Sequence, residues 1–274
     1  MKILITGSDG FLGKEFTHYF KKEHEIIALN RKQLDVSVES DVKDFFSGSE
    51  DVDVILHTAF VGGKRGIEDT LDDLCKNVKS FNNLASHKRN SQLMFCFGSG
   101  ACYDRSRPII SVSEEERAWR NPKDYYGKAK NIISGEIEKG IYENIFDFRL
   151  FGCFGREELP SRFIKSSLRN IREGKPIQIH KDIFMDFFYV GDLCKIIEYY
   201  IFSDTASLPS CLNMSYGKAY SLSYIAKGIA GGDHPIELLS EDKDSYTGNG
   251  GKLYKLPISL IGLFDGIKHA NYDE

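Results

Sequence analysis

The sequence has no basic excess. Its 36 Lys and Arg stand against 40 Asp and Glu, a formal net charge of −4, so it lacks the positive charge that drives counterion release on nucleic acid, and nucleic acid is not an expected partner. It also lacks any run near the roughly 18–20 apolar residues that cross a bilayer. The opening MKILITGSDG gives way to glycines after a few apolar residues, with no secretory apolar region or small-residue cleavage site behind it. A soluble, cytoplasmic protein with no membrane partner is expected. Cysteine is scattered: Cys75, Cys96, Cys102, Cys153, Cys194 and Cys211 form no C-x-x-C pair, and they are expected as reduced thiols, not as a disulfide framework or a zinc site. The seven histidines show no paired ligand spacing, so no metal is expected. No internal repeat is present.

What the sequence does have is apolar and aromatic content, 41% and 12% of its 274 residues. That suffices for one large α/β unit with a small appended lobe and excludes a disordered or fibrous chain. Short apolar runs at 2–6, 25–29, 52–57, 93–97 and 145–150 read as strands. Between them, 11–22, 38–46, 67–87 and 124–140 have helical period. The alternation predicts βαβ units wound by right-handed crossovers into a doubly wound parallel sheet of Rossmann type, with ligands at the strand carboxyl ends. After about Gly155 the rhythm changes to a helix over 161–172, a short strand near Ile177, and 186–190 leading into a helix over 192–201. The expected division is a dinucleotide-binding core of 1–155, rejoined by 183–203, and a substrate-binding lobe of 156–182 and 204–274. GNGG at 248–251 reads as a flexible loop.

Gly7-Ser8-Asp9-Gly10-Phe11-Leu12-Gly13 lies between an expected strand and an expected helix, the context a phosphate-cradling loop requires. Its first glycine permits the tight turn, the second lets backbone approach a pyrophosphate, and the third lets helix and strand pack closely. The spacing is G-x-x-G-x-x-G. About twenty residues on, where an acidic residue would hold an adenosine ribose 2′-OH, the chain has Asn30 and then Arg31. A guanidinium there suits a 2′-phosphate, so NADP is the expected cofactor with NAD as the alternative. Arg31 also reads as an ordinary solvated loop arginine.

Tyr126-Gly127-Lys128-Ala129-Lys130 fits Y-x-x-x-K at the start of an expected helix, and Ser99 ends an expected strand. Together with the glycine loop these motifs resemble the extended branch of the short-chain dehydrogenase/reductases, the NAD-dependent epimerase/dehydratase family. Along the chain, HTAF (57–60), GSGACY (98–103), RLFGCFG (149–155), DFFYVGD (186–192) and LNMSYG (212–217) resemble further landmarks of that branch. Within it, NRKQLDVSVESDVKDFF and AFVGGKRGI (59–67) are similar to the GDP-L-fucose synthases. The resemblance implies cofactor contacts at Phe11, Leu12, Asp35, Val36, Thr58, Ala59, Phe60 and Asn77, the last supporting the lysine through water, with Tyr126 and Lys130 holding the nicotinamide ribose. It also implies a homodimer through two long helices.

The chain departs from the branch in places. The epimerising acid/base pair of the fucose synthases, a cysteine in the serine segment and a histidine in the following substrate helix, is replaced by Ala101 and Arg162. Cys102 is adjacent but points elsewhere if the segment is extended. The 4,6-dehydratases' Asp-Glu pair is missing, since Gly100 and Ala101 carry no carboxylate. Gly152 stands for the usual Asn, and Met185 for an arginine that binds the sugar nucleotide's diphosphate; Arg162, Lys165, Arg169 and Lys175 are the cations left to supply that charge, with Gly100 a further substrate contact.

The remaining set is minimal. Tyr126 is expected as general acid/base with its phenol lowered by the Lys130 ammonium, and Ser99 as the donor that holds the reacting oxygen. NADPH-dependent reduction of a 4-keto nucleotide sugar is the favoured activity. NAD-dependent 4-epimerisation through a transient ketone is the alternative, and a non-catalytic NADP(H) sensor is the reading from another class.

Overall fold

The first strand decides the architecture. In β1 (Lys2–Thr6) Ile3 and Ile5 enter one apolar cluster and Leu4 the other, because successive strand side chains point to opposite faces, and a strand buried on both faces belongs inside a helix-covered sheet. The computed structural model describes residues 1–48, 51–64, 66–240, 242–270 and 272; Arg65 of the AFVGGKRGI stretch lies outside them. The elements that follow are α1 (Phe11–Phe20), β2 (Glu25–Leu29), α2 (Glu39–Ser47), β3 (Val54–His57), α3 (Leu71–His87), β4 (Leu93–Ser99), β5 (Ile109–Val112), α4 (Tyr125–Glu138), β6 (Ile145–Leu150) and β7 (Gly152–Phe154). Beyond them come α5 (Phe163–Arg172), β8 (Ile177–Ile179), β9 (Asp182–Met185), β10 (Phe187–Tyr189), α6 (Val190–Ile201), β11 (Cys211–Met214), β12 (Tyr220–Ser221), α7 (Leu222–Ala230), β13 (Ile236–Leu238), β14 (Lys243–Gly248) and α8 (Leu263–His269).

Six strands in the order β11-β6-β4-β3-β1-β2, all parallel, form the main sheet. Phe81 and Leu84 of α3, Val42 of α2 and Ile133 and Ile137 of α4 cover one face. Phe16 and Phe20 of α1 with Leu193, Ile196 and Tyr200 of α6 cover the other. The strand order reverses direction between β1 and β3, and an open α/β sheet offers its ligand crevice at the carboxyl ends of such a pair. The Rossmann-type doubly wound sheet is thus what the alternation predicted.

Two strands cross the expected domain boundaries. β11, inside the stretch expected to belong to the lobe, is the sixth strand of the main sheet. β5, inside the expected core, instead pairs with β14 in a smaller sheet of order β12-β9-β14-β5. Both are four residues long, too short for their apolar pattern to reveal which sheet buries them. The pairs β7–β10 and β8–β13 stand apart from both sheets, with α5, α7 and α8 packed beside them. No helix among the described residues is long and apolar enough to cross a membrane, and no His, Cys, Asp and Glu cluster there has metal-holding geometry.

Candidate active site

At the switch point the glycine turn is fixed from two sides. Gly7 has φ of +71°, and a Cβ on it would lie 2.7 Å from the Ala59 backbone at the exit of β3, so both conformation and contact require glycine. Gly10 is different: a Cβ there would meet only the Gly7 carbonyl, at 3.3 Å. Its bareness serves the cleft it lines. Gly10 caps α1 without a side-chain bond, and no acidic residue stands in the first turn, so the N–H groups of Phe11, Leu12 and Gly13 are left for an anion. The Thr58 hydroxyl donates to the carbonyls of Thr6 at 2.7 Å and Gly7 at 3.2 Å, holding the two strand exits together.

A cleft of about 280 Å³ opens there. It is lined by Gly7, Gly10, Asn30, Arg31, Asp35, Val36, Thr58, Ala59, Phe60 and Asn77, which are ten of the expected cofactor residues brought into one wall. The fit to the adenosine end of a dinucleotide rests on this cradle. Arg31 Nε bonds Asp35 Oδ2 at 3.0 Å, and the guanidinium remains 60% exposed. Burial alone would raise the Asp35 carboxyl, but hydrogen bonds from Ser37 and Arg31 hold it below its ordinary value. A larger hollow of about 450 Å³ lies at the other end of the sheet, between Met1, Asp53, Arg89 and Thr205, away from every motif.

Ser99 ends β4, and Tyr126 and Lys130 stand one turn apart on α4, whose first turn is fixed by Asp124 accepting from the Gly127 N–H at 2.7 Å. Phe60 packs edge-on against Tyr126 with centroids 5.3 Å apart. The loop at Gly63 closes the other side, since a Cβ on Gly63 would lie 2.5 Å from the Tyr126 ring. Lys130 Nζ donates to the Phe97 carbonyl at 2.6 Å and sits 3.5 Å from the Phe60 ring centre. Burial lowers it to about 8, against the raising charge of Asp147. Burial and the Lys130 charge likewise lower His57 to about 3, so that ring is neutral.

One expectation needs correction here. The phenol was expected to be lowered by Lys130; burial instead raises Tyr126, opposed by hydrogen bonding with Ser99 and by the Arg105 and Arg162 charges. Burial outweighs the nearby charges: Arg105 stands 5.5 Å from the Tyr126 ring centre, and the Lys130 ammonium, bonded to the Phe97 carbonyl, 5.7 Å. Asn77, expected to support the lysine through water, is held on the loop after β3. It accepts from the Val61 N–H at 2.8 Å and donates to the Val61 carbonyl at 2.9 Å, pinning the loop after β3.

The serine segment is not extended. Residues 100–103 form a tight 3-10 turn, in which Cys102 is packed with Tyr103, Ile109, Val112 and Phe151. Burial pushes its thiol up to about 12, so it offers no acid/base function near neutrality. Ala101 is fully buried. The space before Gly100 is filled by the rings of Phe151 and Tyr246, 2.5 and 2.9 Å from where a Cβ would stand, so packing accounts for this glycine. Arg162 directly precedes α5, exposed, with its charge reaching Tyr126. Lys165 Nζ donates to the carbonyls of Arg156 at 2.6 Å and Glu158 at 3.1 Å, which commits it to the loop, and Lys175 pairs with Glu173. The departures at 152 and 185 answer each other: a Cβ on Gly152 would meet the Met185 terminal methyl at 2.7 Å. Two site residues were missed. Arg105 follows the serine turn with no motif of its own, and Tyr246, 147 positions after Ser99, places its hydroxyl 3.3 Å from Oγ.

Residues 3–208 match the model of the NAD dependent epimerase/dehydratase family. The chain belongs to this family. One curated relative, the GDP-L-colitose synthase of Yersinia pseudotuberculosis, is 24% identical over 84% of this chain and 81% of its own length. Among solved structures, a GDP-D-glycero-L-gluco-heptose synthase of Campylobacter jejuni, solved in the presence of NADPH, superposes with a TM-score of 0.83 at 19% identity, covering 99% of this chain and 96% of the other. A GDP-mannoheptose C4 reductase from the same organism, with NADP bound, gives 0.82 at 19% identity over 98% and 96%. At such identity the structures carry the fold, and the family carries the class: an NAD(P)-dependent enzyme of the oxidoreductase and epimerase type.

Proposed function

We propose that this enzyme reduces a 4-keto, deoxygenated nucleotide sugar with NADPH, using Ser99, Tyr126 and Lys130. The observation that carries the reading is a complete Ser-Tyr-Lys set with no second acid/base pair beside it among the described residues. Ala101 offers a methyl group, and Arg162 offers a guanidinium that does not exchange protons near neutrality. One solved neighbour's name points the same way, a GDP-mannoheptose C4 reductase with NADP bound, and Arg31 suits the 2′-phosphate.

The cofactor supplies a hydride to the carbonyl carbon. Gly10 and the first turn of α1 would hold its pyrophosphate, and Asn30, Arg31, Asp35, Val36, Thr58, Ala59 and Phe60 would form the wall against its adenosine half. Ser99 donates to the carbonyl oxygen, and Tyr126 gives that oxygen its phenol proton. Lys130, Arg105 and Arg162 stabilise the phenolate left behind. The lobe supplies the sugar-nucleotide site, with Arg162 as its cation. The protein works in the reducing cytoplasm, and α3 with α4, which carries half-exposed Tyr125 and Ile132, forms the face of a homodimer.

The test is purification followed by cofactor analysis and assay. A reductase comes away largely free of dinucleotide and consumes one NADPH per GDP- or dTDP-linked 4-keto-6-deoxy sugar. Tightly held NAD, with sugar interconversion and no net consumption, would establish the epimerase instead. A Tyr126→Phe variant with every activity intact would overturn the Ser-Tyr-Lys reading.

A further inference from the structure

Tyr246 stands outside the stretch 3–208 that matches the family, yet its hydroxyl lies within the reactive cluster, 3.3 Å from Ser99 Oγ. Its place is set by three independent contacts. On β14 it is paired in register with Ile109 of β5 and Met185 of β9. Its ring meets Phe151 edge-on with centroids 5.4 Å apart. It also lies over Gly100, where a Cβ would stand 2.9 Å from Cζ, so the glycine admits the phenol to the serine.

The chemistry of a serine hydroxyl says what this phenol is for. Ser99 has one proton to give and two acceptor sites. The Ala101 N–H fills one acceptor site, at 3.2 Å. In the reaction proposed above, Tyr126 spends its proton on the substrate oxygen and therefore has none for the other site. We propose that Tyr246 is a positioning residue: its phenol donates to Ser99 Oγ and so turns the serine's single proton outward, toward the carbonyl oxygen of the substrate. Burial raises the Tyr246 phenol well above its ordinary value, which keeps it a donor throughout the working range. With Tyr246 in place the serine is held as a donor; without it the hydroxyl rotor is free to point its proton elsewhere.

The inference rests on the reductase reading, and its test separates the two. On a 4-keto-6-deoxy nucleotide sugar that the wild type reduces, Tyr246→Phe lowers kcat about tenfold, the scale of one hydrogen bond, with KM little changed. Because Tyr246 acts through Ser99, the Ser99→Ala/Tyr246→Phe double variant is no slower than Ser99→Ala alone. Losses that multiply, or an unchanged rate in Tyr246→Phe, overturn the proposal. If the wild type consumes no NADPH with such sugars, the reductase reading fails while a second measurement still decides Tyr246. In protein carrying 13Cζ-tyrosine with NADP added, the Tyr126 signal, identified by its loss in Tyr126→Phe, begins to titrate at higher pH in Tyr246→Phe. It moves as far in Ser99→Ala and no farther in the double variant. A Tyr126 titration that moves in Ser99→Ala and stays in place in Tyr246→Phe refutes the coupling.

Discussion

Lys130 carries its charge in a buried place, which makes Lys130→Met a test of the whole electrostatic account. The gap between an ordinary lysine at 10.5 and about 8 means that the folded protein holds this ammonium at a cost of about 3 kcal/mol. Methionine matches the length without the charge. It also gives up the bond to the Phe97 carbonyl and the contact with Phe60, together about 1–2 kcal/mol. At pH 7 Lys130→Met should therefore be at least as stable as the wild type, by up to about 2 kcal/mol. The sign with pH follows from proton binding. Between about 8 and 10.5 the unfolded chain keeps the lysine proton while the folded protein releases it, so wild-type stability rises with pH across that window. Relative to Lys130→Met, the gain from pH 7 to pH 10 is about 2.5 kcal/mol. Urea unfolding of both proteins at several pH values gives the difference directly, and groups common to both cancel. NADPH turnover by the variant should fall at least about a hundredfold. A stability difference that stays flat from pH 7 to 10 would show that Lys130 does not bear a buried charge, and would refute the reasoning.

Other outcomes follow from single contacts. Tyr126→Phe should lower kcat by about 10²–10⁴ while NADPH still quenches or enhances fluorescence on binding as in the wild type. Arg31→Ala should raise the Kd for NADPH about ten- to a hundredfold, the worth of charge-assisted bonds to a phosphate, and leave NADH unchanged; equal loss for both would make Arg31 merely structural. Asn77→Ala strips both bonds from the Val61 backbone and should cost about 2–4 kcal/mol in urea unfolding, with weaker cofactor binding. Glu158 is raised to about 7 by burial, so its stabilising share is complete below its unfolded value and is lost as pH rises through 7. Glu158→Gln should match the wild type near pH 4 and exceed it by up to about 3 kcal/mol at pH 8; equal melting temperatures at pH 8 would count against that burial.

The parts of the site that could be read beforehand are those whose chemistry is local. Gly7, Gly10 and Gly13 announce a turn because strand, turn and helix are contiguous, and Tyr126 and Lys130 announce a pair because one helical turn separates them. What could not be read depends on pairing between distant segments. Tyr246 reaches Ser99 only because β14 lies beside β5 and β9, and nothing in SYTGNGG encodes that register. The fate of Cys102 turned on a 3-10 turn in place of an extended segment. Met185 illustrates the difficulty well. As a letter it was the loss of an arginine; beside Gly152 it is a methyl group filling the volume that a missing side chain vacates, so two departures amount to one change of packing.

The charges around Tyr126 bear on the direction of the reaction. A phenol that burial raises keeps its proton at neutral pH, and such a group begins the cycle as an acid. Oxidation of an alcohol requires the opposite, a phenolate ready to take a proton, and an enzyme that epimerises through a ketone needs both states from the same side chain. Arg105 and Arg162 favour the phenolate, but they favour it most when the negative charge forms in the low-dielectric site beside them, after the proton has left. Hydride addition creates an alkoxide at the substrate carbon, which is a far stronger base than a phenolate, so the proton moves downhill from Tyr126 and the guanidiniums take up the charge. Reoxidation of the product would start from the protonated phenol and require its ionisation first. The pH dependence separates the two directions: reduction by this site should hold through neutral pH and fall as Lys130 loses its charge near 8 and further as Tyr126 ionises, whereas alcohol oxidation should climb as the phenolate forms. A reductive rate that rises with pH through that range would show that the phenolate is the working form and would return the balance to the epimerase.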